Sequence, residues 1–178
     1  QICSDVLGVP IERIRVIHGQ TDRISIGFGA FASRVTVMTG SAVKMASEAL
    51  KEKAIALAAP LLQADTGALT LEMGRVVSRD SGATIGLAEI AAQSGEDLDA
   101  EALFRADHMN YPYGIHVAQV RVDEALCGIH VERYLVAYDV GRAINPMLIE
   151  GQIVGAAAQG IGGALLEEFV YSEEGQPL

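Results

Sequence analysis

The sequence predicts an α+β fold in which two long helices pack on a mostly antiparallel sheet. Helical patterns extend over residues 33–62 and 146–169. Two strongly alternating segments, 114–122 and 129–140, are separated by a short polar stretch and therefore predict a strand pair with a hairpin loop over 123–128. Half of the residues are hydrophobic, which supplies enough apolar surface for a folded core.

The shorter predicted elements surround the first long helix. In chain order they are a helix end over 1–7 closed by Gly8, a strand over 14–17, a loop of glycine and small residues over 19–32, a hairpin over 69–77, a helix over 87–93 and an exposed acidic segment over 94–101. Pro60 marks a kink or the end of the first long helix. Asn145 suits the N-cap of the second long helix and Pro146 its first turn.

Charge and hydropathy exclude several classes of partner. The 178 residues carry a formal net charge of −10 and no Lys/Arg run, which disfavours nucleic acid and anionic membranes. The longest apolar stretch, 153–166, is too short to span a bilayer. Cys3 and Cys127 lack any CxxC or metal-binding spacing and suit reduced thiols in a cytoplasmic protein. Both chain ends suggest that the sequence is cut from a longer polypeptide.

A glycine-rich loop precedes the first long helix, at residues 27–34 with the sequence GFGAFASR. Such a loop lets backbone N–H groups approach an anion, which the helix dipole also favours. Ser33 can cap the helix or donate to a phosphate, and Arg34 can pair with one. An ordinary capped helix explains the loop equally well. The G-x-G-x-x-A match to dinucleotide-binding folds is disfavoured, because no second strand follows soon enough.

The second long helix has a smooth polar face. Gln152 and Gln159 lie seven residues apart and therefore on nearly the same side, with Gly155 and Ala156 between them. Glycine costs about 1 kcal/mol in a helix interior relative to alanine, so its repetition needs a reason. Close approach of a ligand is one reason, since amides both donate and accept hydrogen bonds. Tight helix packing is the other.

Other polar residues suggest structural roles. Asp139 and Arg142 flank a glycine turn and either pair locally or simply build that turn. No pair of the four histidines has metal-ligand spacing on a helix, although His116 and His130 lie on adjacent predicted strands and can face each other. No Ser-His-Asp arrangement or Walker loop is present. Glu167 and Glu168 are expected to face solvent.

Taken together, these segments resemble the molybdopterin-binding subunits of the xanthine dehydrogenase/aldehyde oxidase family of molybdenum hydroxylases. The resemblance is carried by LGVP at 7–10, GAFASR at 29–34, TGSAV at 39–43 and VRVD at 120–123, and most strongly by DVG at 139–141 through NP at 145–146 to GQ at 151–152 and QG at 159–160. It is collinear over nearly the whole chain and weakest over 65–107. The hairpin loop at 124–128 lacks the family's threonine-glycine, a difference confined to a surface turn.

The resemblance implies a cofactor and a set of site residues. The cofactor would be molybdopterin, in bacteria often as the cytosine dinucleotide, with [2Fe–2S] clusters and FAD on partner subunits or domains. The family inserts a water-derived oxygen at an electron-poor C–H carbon of an aldehyde or N-heterocycle. By position, the implied cofactor-binding residues are Ala30, Phe31, Ala32, Ser33, Arg34, Val35, Gln152 and Gln159.

The family's catalytic glutamate, in a Gly-Val-Gly-Glu motif, is absent from this sequence. No catalytic residue is therefore assigned, and the fragment alone is expected to be inactive. The whole of 1–178 is interpreted as a fragment of the molybdopterin-binding domain, with lobes at about 1–107 and 108–178. The alternatives are a non-catalytic interaction or assembly module of a multi-subunit complex and a nucleotide-binding protein using the 27–34 loop.

Overall fold

The structure is a computed structural model that describes residues 1–27 and 29–178, and it confirms the α+β class. The chain divides into two compact units, Gln1–His108 and Met109–Leu178. The elements are α1 (Ile2–Leu7), α2 (Val35–Leu62), β1 (Leu69–Glu72), β2 (Arg75–Ser78), β3 (Thr84–Gly86), α3 (Leu87–Ser94), β4 (Tyr113–Asp123), β5 (Gly128–Asp139) and α4 (Pro146–Leu165), with short 3₁₀ turns at Ile11–Arg13 and Thr66–Ala68. None of the described helices is long and apolar enough to cross a membrane.

The first unit contains the hydrophobic core. Strands β1, β2 and β3 form an antiparallel sheet in that order, and α2 contacts all three strands. Ala54 and Ala58 of α2 are fully buried and lie one helical turn apart, so the helix backbone can approach the sheet closely. The core consists of Leu7, Ala54, Ala58, Leu69, Leu71, Val76, Ile85 and Ile90.

The end of α1 docks on the β1–β2 turn. Gly8 closes α1 with a left-handed φ of 62°, as the sequence predicts. Met73 and Gly74 of the turn both have positive φ, 51° and 71°, which is the turn geometry that suits a two-residue hairpin. A Cβ added at Gly8 would lie 2.9 Å from the backbone nitrogen of Met73. Glycine is therefore favoured at position 8 for two reasons: the backbone is left-handed, and the β1–β2 turn approaches too closely for a side chain.

Two predictions in this region need correction, and one is confirmed. The helix begins at Val35 rather than 33, because Ala32 and Ser33 have left-handed backbones. Its predicted end at Leu62 is confirmed, two residues beyond Pro60, and the N–H groups of Gln63 and Ala64 close it on carbonyls of the last turn. The strand predicted over 14–17 is wrong: these residues have no regular structure, and no strand in the described part of the chain pairs with them.

Elsewhere in the first unit the short elements follow the prediction closely. The hairpin around Gly74 is confirmed, and β3 adds a third strand that was not predicted. Helix α3 ends one residue later than expected. The acidic segment is mostly exposed, and Lys53 Nζ of α2 ties it down by donating to Asp99 Oδ1 at 3.0 Å. This hydrogen bond and charge lower the pKa of Asp99 below its ordinary value.

The second unit comprises a long hairpin and α4. Strands β4 and β5 pair from Tyr113–Asp139 to Asp123–Gly128, with a bulge in the register beside Gln119 and Val120. His116 lies opposite Val136 and His130 opposite Arg121, so the expectation that the two histidines face each other is wrong. Asn145 caps α4 as predicted, its Oδ1 accepting from the Leu148 N–H at 3.2 Å.

Helix α4 ends at Leu165 rather than 169, in a final turn that includes the poor helix formers Gly162 and Gly163. No residue of 109–178 is buried, although half-buried residues of α4 recur every four positions, at Ile149, Ile153, Ala157 and Ile161. Helix α4 therefore has one partly covered stripe, and apart from Gly162 its other residues are exposed. Glu167 and Glu168, just beyond it, are exposed as predicted.

Candidate cofactor-binding site

The loop before α2 ends in a tight turn over residues 31–34. The two central residues, Ala32 and Ser33, have φ values of 53° and 51°. Each left-handed non-glycine residue costs about 1–2 kcal/mol, so two in succession indicate a turn that its surroundings hold in place. The backbone closure is weak, because the Arg34 N–H reaches the Phe31 carbonyl at 3.5 Å. Phe28, part of the predicted glycine-rich loop, lies outside the described residues.

The start of α2 has open hydrogen-bond donors. Its N-cap residue is Arg34, and no side chain caps the helix within the described part of the chain. The suggestion that Ser33 caps the helix is therefore wrong. Ser33 has a left-handed backbone within the turn, and the N-cap position falls on Arg34. The first intrahelical bond runs from the Met38 N–H to the Arg34 carbonyl at 2.9 Å. The N–H groups at 35–37 thus remain available to an acceptor, with the helix dipole favouring an anion.

Arg34 stacks on Phe31 across the same turn. Its guanidinium carbon lies 4.3 Å from the centroid of the Phe31 ring, within the range of a cation–π interaction. The ring is 49% exposed, so the pair lies at the surface of the first unit. This contact was not predicted from the sequence. Side chains three positions apart also meet on a helix, but here the tight turn at Ala32 and Ser33 brings the two together.

We expect Ala32→Gly to raise the free energy of unfolding by about 0.5–1 kcal/mol, because glycine adopts positive φ without steric cost. Urea unfolding followed by circular dichroism measures the change. Ala30→Gly is the matched control: Ala30 has no positive φ, so this variant gains only chain entropy when unfolded and should be slightly destabilised. Equal shifts in both variants would contradict the strained turn.

The polar face of α4 is exposed and smooth. Gln152 and Gln159 are both exposed, and no described residue forms a hydrogen bond with either amide. A Cβ added at Gly151, Gly155 or Gly160 would have no atom within 4 Å among the described residues. Tight packing within the second unit therefore does not explain these glycines. The face can accept a planar, hydrogen-bonding group.

The remaining candidates are structural. Asp139 Oδ1 accepts from the Gly141 N–H at 2.9 Å, and the described ion pairs do not include Arg142, which favours the interpretation of this segment as a well-built turn. His116 Nδ1 lies 3.1 Å from the Tyr134 hydroxyl, and its ring meets those of Tyr134 and Tyr138 edge-on. No group of three or more His, Cys, Asp or Glu residues suited to a metal ion occurs in the part of the chain that the structure describes.

The predicted site residues thus fall into two sets. Residues 30–35 belong to the first unit, where they form the turn and the start of α2. Gln152 and Gln159 belong to α4 of the second unit. Each set offers hydrogen-bonding groups that have no partner among the described residues. The first set follows the tight turn before α2, and the second lies on α4, which Asn145 caps.

Comparisons with known proteins show the family to which the chain belongs. The chain is 40% identical to the gamma subunit of the 6-hydroxypseudooxynicotine dehydrogenase complex of Paenarthrobacter nicotinovorans, covering 100% of this chain and 24% of the relative. It is 33% identical to the carbon monoxide dehydrogenase large chain of Hydrogenophaga pseudoflava, covering 100% of this chain and 23% of that one. The chain therefore spans about a quarter of the length of these relatives.

Solved structures give the same result. Quinoline 2-oxidoreductase from Pseudomonas putida 86 superposes with a TM-score of 0.84 at 33% identity, over 99% of this chain and 24% of that chain. Reconstituted carbon monoxide dehydrogenase from Oligotropha carboxidovorans superposes with a TM-score of 0.87 at 28% identity, over 99% and 23%. The family model of the molybdopterin cofactor-binding domain matches residues 1–178. This chain belongs to the molybdopterin cofactor-binding domain family, within the large subunits of molybdenum hydroxylases.

Proposed function

We propose that residues 1–178 supply cofactor-binding residues to the large subunit of a molybdenum hydroxylase that acts on an aldehyde or N-heterocycle. The observation that carries this proposal is the uncapped start of α2, presented by the 31–34 turn. In a family that binds a phosphate-bearing cofactor, a helix start with open N–H groups is a suitable partner for the anionic part of that cofactor.

The residues present fit such a group. The backbone N–H groups at 35–37 and the hydroxyl of Ser33 supply donors for phosphate oxygens. The amides of Gln152 and Gln159 supply both donors and acceptors, which suits the edge of a pterin ring. Gly155 and Ala156 leave the surface between these amides open, so a flat ring can lie against α4. The backbone of Ala30 to Val35, with the Ser33 hydroxyl, is thus proposed to bind the phosphate, and Gln152 and Gln159 of the second unit are proposed to bind the pterin ring.

The cofactor, when bound, supplies the redox chemistry of hydroxylation. The role of this chain is to bind and orient it: the open N–H groups at the start of α2 would hold the phosphate, and the amides of α4 would hold the ring by hydrogen bonds. We assign no general base here, and we propose that a glutamate outside these 178 residues supplies it. The chain alone is then inactive.

The partners follow from the same assignment. We propose that the complete subunit works with an iron–sulfur subunit and an FAD subunit, that its cofactor is the cytosine dinucleotide form, and that the complex is cytoplasmic. The similarity to a dehydrogenase complex subunit supports the multi-subunit arrangement. The two free cysteines are compatible with a reducing compartment.

The direct test is the molybdenum content per chain of the full-length subunit, expressed with its neighbouring subunits, and of residues 1–178 alone. We expect near-stoichiometric metal in the former and none in the latter. Gln152→Ala should lower the metal content of the full-length protein, because one hydrogen bond to the cofactor is lost. Gln93→Ala, which changes an exposed glutamine on α3, is the matched control.

Three outcomes separate the candidates. Metal loss in Gln152→Ala with retention in Gln93→Ala supports α4 as part of the site. Equal metal content in both variants removes α4 from the proposal. A folded full-length protein without molybdenum, made in a host that supplies the cofactor, favours the alternative of a non-catalytic assembly module.

A further inference from the structure

We propose that the side chains of Phe31 and Arg34 are positioning groups that hold the 31–34 turn closed and thereby keep the donors of α2 in place, without these side chains contacting the cofactor. This inference rests on the proposed function for the identity of the bound group. It assigns to the two side chains a role different from direct binding, and it is drawn from the stacking of Arg34 on Phe31 at 4.3 Å.

The closed form of the 31–34 turn needs a stabilising contact between its two ends. Ala32 and Ser33 both have left-handed backbones although neither is glycine, so the open form of this segment is sterically preferred. The only backbone hydrogen bond recorded across the described turn, from the Arg34 N–H to the Phe31 carbonyl, is 3.5 Å long and therefore weak. The stacked side chains of the same two residues provide the second connection.

The position of Arg34 also explains why its charge is turned toward the ring. A cation at a helix N-terminus is disfavoured by the helix dipole, and Arg34 is the N-cap of α2. The described ion pairs include no carboxylate partner for it. The electron-rich face of Phe31 gives the guanidinium a favourable partner within the turn, so the charge has a contact that does not depend on an anion at the helix start.

The test uses the full-length subunit in its complex, with two readouts. One is the rate at which bound molybdenum is released on dilution into chelator. The other is hydrogen exchange of the peptide covering residues 30–38 in the apo protein, which reports turn opening without any cofactor. The variants are Phe31→Leu, Arg34→Met and the double variant, with Phe31→Trp as the conservative variant that retains an aromatic face.

We expect Phe31→Leu and Arg34→Met each to accelerate both metal release and exchange by about two- to fivefold, the range of a single exposed cation–π pair. The double variant should be no faster than either single variant, because both remove the same contact. Phe31→Trp should release molybdenum and exchange hydrogen at the same rate as the protein without substitutions, or more slowly. Rescue by a larger ring and the coupling between the two positions are not expected of residues that merely fill space.

The outcomes distinguish this inference from the proposed function. Faster metal release in Arg34→Met with unchanged release in Phe31→Leu would mean that Arg34 binds the anion directly. Unchanged hydrogen exchange in both variants would mean that the pair does not hold the turn closed. Either result overturns the inference and leaves the proposed cofactor site in place. If the full-length protein without substitutions holds no molybdenum, both the proposed function and the positioning role are overturned. The hydrogen-exchange measurement then still decides whether Phe31 and Arg34 hold the turn closed.

Discussion

Ala156→Leu is expected to lower the molybdenum content of the full-length protein about tenfold or more, because the added side chain occupies the surface between Gln152 and Gln159. Ala156 is exposed and lies roughly 40° around the helix from Gln152 at about 100° per residue, so the leucine would stand where the ring is proposed to lie. Overpacking of a fitted surface costs about 1–3 kcal/mol, which corresponds to this loss of affinity. Metal analysis of the purified complex measures the effect.

Ala158→Leu is the matched control for this variant. It makes the same substitution at an exposed position of the same helix, roughly 120° around from Gln152. We expect the control to retain its molybdenum, and both variants to unfold at nearly the same urea concentration, since neither site is buried. Equal metal content in the two variants would show that this face of α4 does not contact the cofactor.

Gly8→Ala is expected to lower the free energy of unfolding by about 2–5 kcal/mol, which combines the left-handed backbone with overpacking against a neighbouring chain segment. The new Cβ would lie 2.9 Å from the Met73 nitrogen, and that atom belongs to the backbone of the β1–β2 turn, so it cannot rotate away. Denaturant unfolding of the chain measures the change.

Gly82→Ala separates the two contributions. Gly82 has a φ of 71°, close to that of Gly8, but a Cβ there would meet no atom within 4 Å. This control therefore carries only the backbone cost of about 1–2 kcal/mol. If Gly8→Ala proves no more destabilising than Gly82→Ala, the contact between α1 and the β1–β2 turn is looser than the structure indicates.

Long, strongly patterned elements were predictable from the sequence, and their ends were less so. Helix α4 begins where Asn145 and Pro146 predict, because capping is a local property of those side chains. The start of α2 was placed two residues early, since nothing in the types of Ala32 and Ser33 predicts a left-handed backbone. The alternation at 14–17 was misleading because a strand also needs a partner, which a local pattern does not report.

The position of a hairpin loop determines which residues of its two strands lie opposite each other. A hairpin closed between Asp123 and Gly128 already places His116 seven residues from the closing pair and His130 only two, so these histidines do not pair. The sequence predicts the candidate site as a set of residue types at two helices, and that assignment stays a prediction. The stacking of Arg34 on Phe31 was not predictable, because it depends on the tight turn between them.

The distribution of the core has a thermodynamic consequence for the chain on its own. Every residue of the hydrophobic core lies in Gln1–His108, and none of 109–178 is buried. The heat-capacity change of unfolding scales with newly exposed apolar surface, at about 0.45 cal/K/mol per Å², and the second unit already exposes its apolar surface to water. Calorimetry of the 178 residues alone should therefore show the heat-capacity increment of a much shorter protein, and the stability curve of the chain should be correspondingly flat.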